Sequence, residues 1–140
     1  MWTDEVDSLL TSEVPHSAYR IRYPSSEYGS GKREVIAGPV EMSKEWSKRF
    51  DMAILEIGET DPDEQYACIP NPGFMVTLGD GKGRARFLLC FECSILVLED
   101  ENGNRVGSLR SFVAQQKTLG ALAIEAFPND NDLAKVVNSR

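Results

Sequence analysis

All three cysteines of this 140-residue chain fall in one stretch, "CIPNPGFMVTLGDGKGRARFLLCFEC", from Cys68 to Cys93. Cysteine sulfur can ligate a metal, exchange electrons or fill a core, and spacing helps to discriminate among these roles. Cys90-Phe91-Glu92-Cys93 has the C-x-x-C spacing of a zinc knuckle, and Cys68 supplies a third sulfur. A structural zinc site closes with four Cys or His ligands. The fourth is missing, because His16 is the only histidine and lies far away in sequence. The motif also reads as part of a strand, where residues three apart point to opposite faces and cannot chelate one ion. A redox C-x-x-C gains its low thiol pKa at a helix N-terminus, which a strand does not offer. Three buried, reduced cysteines are therefore expected, slow to react because apolar burial raises a thiol pKa. The alternatives are a metal site built on Cys68, Cys90 and Cys93, or a thiol–disulfide pair among them. No cofactor is expected.

Other candidates are weaker. Arg20 and Arg22, and likewise Arg84 and Arg86, alternate along strand-like segments, so each pair projects from one sheet face as a candidate anion or peptide contact. Gly79-x-Gly81-x-Gly83 lacks the following helix that phosphate binding needs, and reads as a hairpin turn. Asp100-x-Asn102-x-Asn104 begins like a calcium loop, but Arg105 replaces the required glycine and Ser111 the closing glutamate. His16, next to Pro15, reads as a surface histidine without a role, and Asp61, Asp63 and Glu64 as a solvated acidic loop.

Composition narrows the partners. Fifteen Lys and Arg against 22 Asp and Glu give a net charge of −7, which disfavours nucleic acid and anionic membrane surfaces. No stretch is long enough to span a membrane, and the acidic N-terminus does not resemble a secretory leader. The expected setting is the cytoplasm. A partner, if there is one, is another protein.

These residues need elements to position them. Trp2, Val6, Leu9 and Leu10 predict a short helix before Pro15, within an N-terminal segment 1–17. Alternation from Ala18 to Tyr23 predicts a strand, and Glu34 to Ala37 a second, closed by Gly38-Pro39. Ser43 caps a helix whose buried stripe is Trp46, Phe50, Ala53, Ile54 and Ile57, with Gly58 as its C-cap. Phe74–Leu78 and Arg84–Phe91 form a hairpin; the unbroken apolar run from Phe87 to Phe91 suits a strand covered on both faces. Ile95–Leu98 continues that strand, and Asn102-Gly103 turns it back through Arg105-Val106. Leu109, Phe112, Val113, Leu119, Leu122 and Ala123 share a face of a last helix ending before Pro128, and residues 129–140 are a fraying tail. If Leu78 pairs with Arg84, Met75 faces Phe87, Pro72 faces Cys90, and Cys68 lies about one position from Cys93. The expected fold is one α+β domain over residues 1–140, an antiparallel sheet with two main amphipathic helices on one face.

Cys68-x-Pro70-x-x-Gly73 followed by Cys90-Phe91-Glu92-Cys93, a hairpin and an amphipathic helix resembles small uncharacterised bacterial proteins with a C-x-P-x-H-G … C-F-x-C signature. The resemblance spans roughly Tyr19 to Phe127 and implies no assigned activity; many relatives look exported or lipid-anchored. The relatives' histidine is Pro72 here, which removes a ligand if that histidine joins the three cysteines on a metal. The expected function is a small non-enzymatic protein-binding domain. A metal-binding or thiol-redox protein is the alternative, and an enzyme without a recognisable motif the third.

Overall fold

The structure, a computed structural model, describes residues 4–11, 13–23, 32–57, 72–79 and 84–139. In chain order the elements are α1 (Asp4–Thr11), β1 (His16–Arg22), β2 (Glu34–Glu41), α2 (Lys44–Leu55), β3 (Phe74–Leu78), β4 (Ala85–Cys90), β5 (Ile95–Asp100), β6 (Arg110–Ser111), α3 (Gln116–Ala126) and α4 (Asn131–Val137). The six strands form one antiparallel sheet in the order β2-β1-β3-β4-β5-β6, giving an α+β fold.

Successive side chains on a strand face opposite ways, so β1, β3, β4 and β5 each feed two cores. Ala18, Phe74, Val76, Leu78, Phe87, Leu89, Leu96 and Leu98 pack beneath the helices with Trp46, Phe50, Phe112, Leu119 and Leu122. Ile21, Tyr23, Met75, Leu88 and Val97 are buried on the other face. The apolar run of β4 thus reflects burial on both sides, as its lack of alternation predicts.

The β3–β4 register is one residue away from the expected one. The last pair is Leu78 with Ala85, while Arg84 donates its N–H to the Leu78 carbonyl (2.7 Å) without entering the ladder. Met75 therefore faces Leu88, and Val76 faces Phe87. A one-residue slip exchanges faces, and the expected pairing would set Arg86 opposite Val76 on the helix-covered side. The observed pairing puts Arg86 opposite Thr77, away from the helices.

A second correction concerns β5. It does not continue β4; the chain reverses through Phe91–Ser94, and Cys90 pairs with Ile95. Ser94 adopts φ 54°, the left-handed region where a non-glycine residue is uncommon. Contacts from the next segment hold it there: Phe112 donates its N–H to the Ser94 carbonyl (2.8 Å), and Ser94 Oγ donates to Gln116 Oε1 (2.8 Å). The Asn102-Gly103 turn is present, with Asp100 Oδ1 accepting from the N–H groups of Asn102 and Asn104. The return beyond it is a single bridge, Glu99 with Arg105, before the two-residue β6.

Three boundaries also shift. β2 runs through a cis Gly38–Pro39 bond to Glu41, its ladder with β1 shifting register between Ala18 and Arg20 and again between Arg20 and Ile21. The last long helix begins at Gln116, after a short 3-10 turn that leaves Val113 61% exposed instead of buried. Within the expected tail lies α4: Asp130 Oδ1 accepts from Leu133 N (2.9 Å) to cap it, and its Leu133 and Val137 are buried. The expected cap at Gly58, and the centre of the 79–83 turn, lie outside the described residues.

α2 follows its pattern closely. Ser43 Oγ accepts from Trp46 N (3.1 Å), and Trp46, Phe50, Ala53, Ile54 and Ile57 are all buried. Trp46 stacks on Phe50 with ring centroids 5.4 Å apart and donates Nε1–H to the Leu122 carbonyl, fixing α2 against α3. Ser43→Ala should cost about 1 kcal/mol by orphaning that N–H. Urea unfolding that gives an unchanged midpoint would mean the cap contributes nothing.

Candidate functional site

Cys90 ends β4 and Cys93 lies within the Phe91–Ser94 turn, so the C-x-x-C lies on a reversal and the two residues cluster with Ile95. The objection drawn from a regular strand therefore does not hold. Cys90 is fully buried and keeps its thiol, while Cys93 is held in a disulfide, contrary to the expectation that all three are reduced. A sulfur in a disulfide is not available as a thiolate ligand. Among the described residues, no three Cys, His, Asp or Glu side chains converge as a metal site; Cys68 lies outside those residues.

His16 is the largest departure from expectation. It is 1% exposed, on the helix side of β1, with Nδ1 donating to the Val14 carbonyl (2.8 Å) and Nε2 2.7 Å from Asp51 Oδ1 of α2. Burial raises the Asp51 carboxyl above its ordinary value, with the His16 contact pulling the other way. Both ring nitrogens are occupied inside the protein, so the pair ties β1 to α2 and leaves no nitrogen for a substrate or metal.

The four arginines do not converge. Arg20 lies across the sheet from Leu89, three positions from Arg86 along the strands, an odd step that puts the two on opposite faces. Arg86 Nη2 donates to the Glu101 carbonyl, and Arg84 is exposed just ahead of β4. Arg20 and Arg22, however, share the helix side of β1 and line an open cleft of about 440 Å³.

Three distant parts of the chain build that cleft. Arg20, Arg22 and Glu34 of β1 and β2 form its floor, Gly73 and the Phe91-Glu92 turn close one end, and Leu133 and Val136 of α4 form a wall. Arg20 is held rigidly: Nε donates to Asp130 Oδ2 (2.6 Å) and Nη1 to the Gly73 carbonyl. A Cβ at residue 73 would stand 2.9 Å from Nη1, so a side chain there would displace the guanidinium. The Arg20 hydrogen bond holds the Asp130 carboxyl below its ordinary range, aided by the Leu133 N–H. Arg22 pairs with Glu34 directly opposite on β2, both nitrogens reaching Oε2 (2.6 and 3.0 Å).

A second open cleft, of about 640 Å³, adjoins the first across the Arg20–Asp130 contact. Ala37 of β2 forms its floor, and Phe127 to Asp132, the α3–α4 corner, its wall. Together the clefts make a trough over the helix side of β1 and β2, where the helix layer stops short of the sheet edge. Val35 and Ile36, between Glu34 and Ala37, are 51% and 47% exposed, but Val35 pairs with Ile21 and so faces away from the helices, and neither residue lines the clefts. The wall falls in residues 129–140, which the sequence reading leaves as a tail; Asp130 three residues before Leu133, with Val136 and Val137 following, is the helix signal there.

No helix among the described residues is long and apolar enough to cross a membrane. No protein-family model, curated protein or solved structure matches this chain.

Proposed function

We propose that this protein is a non-enzymatic binding domain that takes an extended segment of another protein along the trough between β1–β2 and α4. The trough itself carries the reading: two adjoining clefts with a strand floor and a helical wall, lined by both polar and apolar side chains. Grooves between an outer strand and a helix are a recurrent way to hold extended chains, with pockets for alternate side chains supplying specificity. Arg20, fixed by Asp130 and Gly73, divides the channel and gives it a rigid polar landmark. The Cys93 disulfide bears on the setting, since such bonds persist in oxidising compartments, which weighs against the cytoplasm expected from the sequence.

A displayed library of random peptides tests this directly. Selection on the folded protein should enrich peptides whose affinity falls at least about tenfold, roughly 1.4 kcal/mol, for Ala37→Trp, which fills the trough floor. Circular dichroism would confirm that this variant folds. No enrichment, or enriched peptides that bind Ala37→Trp unchanged, would refute the reading.

A further inference from the structure

We infer that the segment held in the trough is basic, an inference that rests on the binding reading above and names the partner's chemistry. The two arginines in the channel suggest an acidic ligand, but each is already neutralised: Arg20 by Asp130, Arg22 by Glu34. What internal pairing leaves over is negative. Glu92, exposed on the β4–β5 turn, lines the first cleft; Asp132, exposed in the first turn of α4, lines the second. Neither carboxylate has an ion-pair partner among the described residues. One uncompensated acid thus stands in each half of the channel, on either side of the fixed Arg20.

A segment with Lys or Arg toward both ends meets these two charges, while apolar residues between them lie against Leu133 and Val136. The long aliphatic stems of Lys and Arg suit this arrangement, burying their methylenes on the wall while the charged ends reach the acids. The chain's net charge of −7 adds a field that speeds encounter with a cation and repels an acidic competitor. An acidic segment has to break both internal ion pairs and still faces Glu92 and Asp132.

The probes are a short labelled peptide alternating Lys with Val and its counterpart with Glu for Lys, titrated by fluorescence anisotropy. The Lys peptide should bind at least about tenfold more tightly, and its affinity should fall as salt rises. Glu92→Lys and Asp132→Lys should each weaken it severalfold, whereas Glu101→Lys, on the exposed turn after β5, should not. Equal loss in all three variants would mean general attraction to an acidic protein, and overturns the inference. Equal binding of both peptides, lost for both in Ala37→Trp, overturns it too but leaves the groove reading standing. If neither peptide binds, the basic segment is refuted, and the library selection decides the groove on its own.

Discussion

Phe50→Ala is expected to lower the unfolding free energy by about 3–5 kcal/mol, the range for truncating a buried phenylalanine. Phe50 is fully buried at the meeting point of α2 and the sheet. It stacks on Trp46, meets Phe87 edge-on at 5.8 Å, and lies 6.0 Å from the His16 ring. Aromatic neighbours on three sides are slow to collapse into a vacated volume, so the cavity contribution adds to the lost transfer free energy. Phe50→Leu keeps most of the volume and should cost under about half as much. Urea unfolding of the three proteins measures this. A loss below about 1 kcal/mol for the alanine variant would mean that the α2 stripe does not pack as described.

That prediction follows from the sequence alone, and the reason is periodicity. Trp46, Phe50, Ala53, Ile54 and Ile57 recur at helical spacing behind a capping serine, so local preference and tertiary burial agree. The β3–β4 hairpin was legible likewise, from β-forming residues around a glycine turn. The β4–β5 reversal was not. Phe91-Glu92-Cys93-Ser94 holds no Gly, Pro or Asn, and its left-handed Ser94 is held by Phe112 and Gln116, about 20 residues downstream. A turn stabilised by tertiary contacts leaves little local signature.

The candidate site was legible only in fragments. Arg20 and Arg22 were identified from their alternation, but their neutralisation was not, because Asp130 lies 110 residues from Arg20. Gly73 enters the sequence reading only as part of the Cys68-x-Pro70-x-x-Gly73 motif, whereas in the fold the Arg20 guanidinium rests against it. The expectation for His16 fails for a related reason: the neighbouring Pro15 suggests surface, while its partner Asp51 is hidden on the buried side of a helix whose other residues there, Ser47 apart, are apolar. Pairings across the sheet–helix interface depend on packing, which a single chain read in order does not display.

The His16–Asp51 pair carries the other large effect. Asp51→Ala should cost about 3 kcal/mol, because removing one partner of a buried pair strands the other. Asp51→Asn should cost only about 1 kcal/mol, since an amide N–H can donate to Nε2 while Nδ1–H stays on the Val14 carbonyl. The two variants also separate in pH dependence. Burial raises the native Asp51 carboxyl, so the native state keeps a proton that the unfolded chain releases near pH 4. Its contribution is complete below about pH 4 and is lost as pH rises through the raised native value. Asp130 works in the opposite sense: held low by Arg20, it stabilises above the ordinary carboxylate value and loses that contribution as pH falls through its lowered one. Wild type sums both slopes, and Asp51→Asn removes only the first. Unfolding free energies measured across the acid-to-neutral range should therefore converge toward higher pH, with wild type's advantage greatest at the acid end. Parallel profiles would show that Asp51 binds its proton equally in both states, and would overturn the prediction.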